Sequence, residues 1–142
     1  SHMAASLAAL PAEKRTDPNF YIGNRIRTCI ADDLAEAKAV LLRTVGNYVL
    51  MPNYRNYWKE AGYEDEMTAI EKALAEGRNA ELPKYLSDRW LSDITLYGPA
   101  AKVREGVEAW RAAGISSPCL VPLSADGNQT KALKSVFEAF AQ

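Results

Sequence analysis

Few residues of this chain could do chemistry. Arg25 and Arg27 stand two apart, a spacing that puts both guanidiniums on one side of a β-strand. Such a pair suits a phosphate or carboxylate anion, held through planar, charge-assisted hydrogen bonds. The competing reading is a strand at a sheet edge with that face in water. Carboxylates run together at Asp32-Asp33 and at Glu64-Asp65-Glu66. They have the composition of acid/base dyads or magnesium ligands, but each group stands where a helix N-terminus gains from negative charge, so capping is the expected role. Ser124 and Asp126, in a polar turn, complete the ligand-facing candidates.

Nucleophiles and metal ligands are in short supply. Cys29 and Cys119 lie in apolar or β-branched runs and form no CxxC pair, so both are expected to be small buried thiols in a reducing compartment. The one histidine, His2, sits in Ser1-His2-Met3, which reads as a remnant of tag removal. Discounting it leaves no Ser-His, Cys-His or imidazole metal site, and no metal centre is expected. Gly98-Pro99 stands before a helix whose first N–H groups suit a phosphate, yet no GxGxxG or Walker pattern accompanies it.

The elements that would position these residues follow from periodicity. Phe20 to Ile30 alternates, with Ile22, Ile26, Thr28 and Ile30 on one side and Arg25, Arg27 and Cys29 on the other. Asp32-Asp33, with Glu36, caps a helix over about Leu34 to Leu50, broken at Met51-Pro52. Asn53 caps a short helix ended by Gly62, and Tyr63 to Glu76 forms another ended by Gly77. Tyr48, Tyr54, Tyr57, Trp58 and Tyr63 resemble a stacking platform for a ring or sugar, but aromatics at these spacings ordinarily pack helices together. After a link over Ala80 to Tyr85, Ser87 or Asp88 caps a helix running to Leu96.

The best-formed unit comes next. Gly98-Pro99 starts a helix with Val103, Val107 and Trp110 on one face, and Gly114 ends it. Cys119-Leu120-Val121 reads as a strand covered on both faces. Pro122 to Asn128 is a turn, and Asn128 caps a last helix carrying Leu133, Val136, Phe137 and Phe140 on one side.

The 142 residues fit one domain, with residues 1–18 as tag remnant and flexible linker and 19–142 as the folded region. Seventeen basic against 18 acidic residues give a net charge of −1 and no field to hold phosphate chains, so nucleic acid is not an expected partner. No run approaches the roughly 18 apolar residues of a membrane span and no export signal is present, which predicts a cytoplasmic protein.

Taken together, RIRTCIADD, EAKAVLLRTVGNYV, PNYRNYWKEAGYEDE and above all LYGPAAKVREGVEAWRAAGISSPCLVPL resemble the C-terminal part of the bacterial luciferase-like monooxygenases. The resemblance spans about residues 20–142 and departs where Pro99 follows Gly98 with no small polar residue between them. It implies the helix-rich C-terminal portion of a (β/α)₈ TIM-barrel-like α/β fold, with about two strands and five to six helices, the barrel incomplete. It also implies flavin or deazaflavin chemistry, with FMN or a deazaflavin as cofactor, though most of that site would lie on earlier strands. No catalytic residue carries over, and the isolated chain is expected to be inactive. By barrel logic Ala31-Asp32 and Pro122 to Asp126 would form the active-site rim. Unpaired strand edges and uncovered helix faces predict a homo-oligomer, or assembly with a missing N-terminal barrel half. The alternative is a non-catalytic oligomerising or interaction domain with a barrel-derived pattern.

Overall fold

A computed structural model describes residues 7–141, so the Ser1-His2-Met3 remnant lies outside the described residues. A short helix α1 (Ala12–Thr16) stands where a flexible linker was expected. Strand β1 (Gly23–Ile30) follows, and its alternation is realised: Ile26 and Thr28 are fully buried on one face, while Arg25, Arg27 and Cys29 share the other. Asp33 caps α2 (Leu34–Val45), its carboxylate accepting from the N–H groups of Ala35 and Glu36 at 2.9 and 3.1 Å. The helix tightens into a 3₁₀ turn over Gly46–Leu50 rather than continuing as α-helix.

Helix α3 (Pro52–Glu60) starts two residues earlier than Asn53 capping would allow, with Met51 at the N-cap position, because Pro52 fits the first helical turn with no N–H to satisfy. Helix α4 (Glu64–Ala75) carries the acidic run Glu64-Asp65-Glu66 in its first turn, as the helix dipole favours. The link over Ala80 to Tyr85 is a 3₁₀ segment, Asn79–Tyr85. Ser87 then caps α5 (Asp88–Ile94), its hydroxyl accepting from the Trp90 N–H at 3.0 Å.

One element departs from expectation in kind. The chain from Thr95 to Leu96 is not the end of a helix but the start of strand β2 (Thr95–Gly98), every residue of which is buried. Thr95 takes an extended conformation (φ −139°, ψ 170°), and its hydroxyl donates to the Leu91 carbonyl at 2.6 Å, closing the helix behind it. The sheet therefore has three strands, not two. Helix α6 (Ala100–Ala112), strand β3 (Ser117–Leu123) and helix α7 (Gln129–Phe140) complete the chain, with Gly114 at φ 105° turning α6 toward β3. Seven α-helices among the described residues exceed the five to six expected, the short α1 accounting for the difference.

The sheet is parallel in the order β2-β1-β3, with β1 central, and it does not close into a barrel. Strands β1 and β3 pair along Gly23↔Ser117 to Cys29↔Leu123, whereas β2 reaches only Arg27↔Thr95 to Ile30↔Gly98. Strand order doubles back at β1, and right-handed crossovers that reverse direction must place their helices on opposite faces of a sheet. Two cores result. On the face of Cys29, Tyr97 and Leu123 pack α2, α3, α4 and α5 through Leu41, Trp58, Met67, Ile70, Trp90 and Leu91. On the face of Ile26 and Leu96 packs α6, through Val103 and Val107. A closed barrel would carry its helices on one side only.

No residue of β3, an edge strand, is fully buried and Cys119 on it is exposed, so the expectation that it is covered on both faces is corrected, and with it that of two buried thiols. Cys29 on the central strand is buried; Cys119 on the edge is exposed.

Candidate functional site

The open length of β1 creates the site. Because β2 pairs only from Arg27 onward, the side of β1 next to Asn24 and Arg25 has no strand beside it. A cleft of about 630 Å³ opens there, and Arg25, Arg27 and the rings of Tyr48, Tyr54, Tyr57 and Trp58 line it. β1 is the central strand, so the edge position expected in the competing reading is corrected, but Arg25 is exposed to water as that reading had it, and only Arg27 is half-buried against the helical layer. Arg27 is half-buried and donates through Nη2 to the Tyr48 hydroxyl at 3.3 Å, a long bond that an anion could displace.

The aromatic residues divide between core and cleft. Trp58 and Tyr63 are buried, and Trp58 meets Trp90 edge-on with ring centroids 4.9 Å apart. The tyrosines expected to pack helices also stack for the cleft. Tyr48 and Tyr54 lie nearly parallel with centroids at 4.9 Å, and Tyr54 leans on Trp58 at 5.5 Å. The result is an aromatic wall running from Tyr48 to the core at Trp58 and Trp90, and the exposed Tyr57 lines the same cleft. Tyr63 is tied down on the far side of the layer. Its hydroxyl donates to Asp93, Arg89 lies over its ring, and burial followed by that hydrogen bond holds its phenol well above the usual range.

Ser124 and Asp126 are not part of this cleft. They follow β3 beyond its C-terminal end, about 10 Å or more along the sheet from Arg27 at ~3.3 Å per residue. The structure does bring them beside Ala31-Asp32, because Cys29 and Leu123 pair in register just before both loops. Their polar atoms are spent on the turn itself. The Ser124 hydroxyl donates to Asp126 Oδ1 at 2.8 Å, and the Asn128 N–H donates to the same oxygen at 3.0 Å. Lys131 Nζ donates to Asp126 Oδ2 at 2.9 Å. The Lys131 ammonium, then the Asn128 N–H and the Ser124 hydroxyl, hold the Asp126 carboxyl well below the ordinary carboxylate range. Asn128 caps α7 by accepting from the Lys131 N–H at 3.0 Å. This rim is a capping turn.

Gly98 has φ 113°, a left-handed conformation that favours glycine, and a Cβ there would also crowd Leu34 Cδ1 at 3.0 Å. Among the described residues no group of three or more His, Cys, Asp or Glu side chains could hold a metal ion. Among them, too, no helix is long and apolar enough to cross a membrane.

What sequence reasoning missed was the cleft's walls. Asn24, Asn53 and Trp110 line it beside the arginines, and only the shortness of β2 could have signalled the gap.

The sequence model of one family, described as luciferase-like monooxygenase, matches residues 1–117. That span takes in every residue lining the cleft and ends before Ser124 and Asp126. No curated protein and no solved structure matches the chain.

Proposed function

The chain belongs to the luciferase-like monooxygenase family, and from that membership we propose that it contributes to a flavin- or deazaflavin-dependent oxidoreductase as a binding segment, inactive by itself. The observation that carries this reading is the cleft, where two guanidiniums on one strand stand against a wall of stacked tyrosines. These residues fit an anionic aromatic group. Arg25 and Arg27 would hold a phosphate of FMN or a deazaflavin, and Tyr48, Tyr54 and Tyr57 would take the planar ring. Such a cofactor supplies hydride or oxygen chemistry when bound, and the protein positions it.

The chain's own contribution is binding and orientation. Its cleft is lined by arginine, asparagine, aromatic and aliphatic side chains, with no carboxylate, imidazole or thiol to act as general acid or base near neutral pH. That lining supports inactivity of the chain alone. A second reading, a non-catalytic interaction domain, draws on the rim, where Asp33, Ser124, Asp126 and Asn128 all serve helix caps or their turns.

Titration with FMN and with an 8-hydroxy-5-deazaflavin, followed by fluorescence and visible absorbance, separates the two. Saturable 1:1 binding, weakened about tenfold or more in R27A and further in R25A/R27A, is the expected result, with no oxidation of reduced nicotinamide by the complex. Absence of binding, or binding indifferent to both arginines, favours the interaction domain.

A further inference from the structure

Strand β2 is the outer strand of the sheet on the side away from β3, and the two helical layers meet beside it. Between them runs a groove of about 400 Å³, lined by Trp58 of α3 and Asp93 of α5 from one layer and by Gly106, Ala109 and Trp110 of α6 from the other. The small residues of α6 leave the space open. Every residue of β2 is buried and the Thr95 N–H already donates to the Leu91 carbonyl, so the groove is not a seat for another strand.

One charged residue, Asp93, stands among the aromatic, aliphatic and hydroxyl side chains of this lining. The sign is opposite to that of the arginine cleft, although Trp58, Ile94 and Trp110 line both. Asp93 is exposed, and half of its carboxylate is spare. The Tyr63 hydroxyl donates to Oδ2, whereas Oδ1 has no hydrogen-bond partner among the described residues. Arg89, one turn earlier on α5, is spaced to pair with Asp93, yet it donates to the Gly62 carbonyl at 2.6 Å and lies over the Tyr63 ring. Among the described residues no ion pair reaches Asp93.

A spare carboxylate oxygen at the mouth of a groove walled by two indoles suits an organic ammonium. The carboxylate accepts charge-assisted N–H bonds, the indole rings attract a cation, and the apolar walls take a hydrocarbon body. An anion would meet the carboxylate's charge and find no basic side chain in the lining. A neutral apolar molecule would cover Oδ1 without giving it a donor.

We propose that this groove is a binding site for a small primary amine, its ammonium on Asp93 Oδ1 and its apolar body against Trp58 and Trp110. The proposal does not rest on the flavin reading of the arginine cleft.

Isothermal titration calorimetry of the full chain at pH 7.5 with phenethylamine and with 2-phenylethanol, its neutral counterpart, tests it; an aliphatic amine is charged at that pH. Expected are saturable 1:1 binding of the amine and binding of the alcohol weaker by about tenfold or more. D93N, whose amide oxygen can still accept from Tyr63, should lose the preference for the amine over the alcohol. A109L, at an exposed position of α6, should fill the groove and abolish binding of both, and it decides the matter if D93N does not fold. R25A/R27A should bind the amine at least as tightly as the parent, so failure of flavin binding and failure of amine binding are read separately. No amine binding by the parent, equal affinity for the two probes, amine binding unchanged in D93N or A109L, or amine binding lost in R25A/R27A overturns the proposal.

Discussion

At the scale of single residues, the two cysteines show how the same residue type in similar runs meets opposite fates. Cys29, on the central strand, is buried, and desolvation followed by the nearby Glu36 carboxylate raises its thiol above the usual range. It should stay neutral and unreactive in the folded protein, whereas Cys119 on the edge strand is exposed. Labelling with a thiol-reactive dye at pH 7.5 (about one unit below a free thiol) should modify one cysteine rapidly, identified by peptide mapping as Cys119. Cys29 should react only after denaturant is added, and equal rates for both would contradict the packing around β1. Arg25 and Arg27 were legible as a same-side pair because strand alternation is a local property. That they face a cleft was not, since the gap above them depends on where β2 stops pairing.

At the scale of elements, caps and close approaches carry the testable energetics. The Asn128 side chain satisfies a first-turn donor of α7, so N128A should destabilise the protein by about 1 kcal/mol in urea unfolding, and N128D should lose much less. Gly106 lies inside α6, where alanine would ordinarily gain about 0.5–1 kcal/mol. A Cβ there, however, would stand 2.3 Å from Leu96 Cδ2, and Leu96 is held in the second core. G106A should therefore be net destabilising by about 1–2 kcal/mol, the overpacking outweighing the propensity gain; a stabilised variant would show that Leu96 has room to move. Strand β2 was the element least legible in advance. Ile94-Thr95-Leu96-Tyr97 continues the apolar pattern of α5, and only pairing with β1 and the Thr95 bond to Leu91 turn it extended. Replacing Thr95 by valine keeps shape but leaves the Leu91 carbonyl without that partner, with an expected loss of about 1 kcal/mol.

At the scale of the whole molecule, the sheet divides two cores, and ion pairs at the surface join α3 to α4 through Glu71 and brace single turns at Glu81 and Asp126. Lys59, then Arg55, holds the Glu71 carboxyl below its ordinary value, Arg78 does the same for Glu81, and Lys131 for Asp126. A carboxyl lowered in the folded state contributes stability above its unfolded value and loses it as pH falls through the folded one. Urea midpoints should thus be nearly flat from neutral pH down to about 5 and fall below the ordinary carboxylate range near 4. Because these groups are largely exposed, raised salt should shrink the acid step. A midpoint that already falls between pH 7 and 5 would point instead to a buried titrating group.

The sequence alone determined most helix boundaries, the caps at Asp33 and Asn128, the glycine stops, the β1 alternation and the family, because each rests on residues a few positions apart or on a pattern spread along the chain. Tertiary structure alone decided the third strand, the order β2-β1-β3, the exposure of Cys119 and the separation of Arg25 and Arg27 from Ser124 and Asp126. Those outcomes turn on which strand pairs with which, over what length, and on which face each crossover helix then lies. No local spacing carries that information.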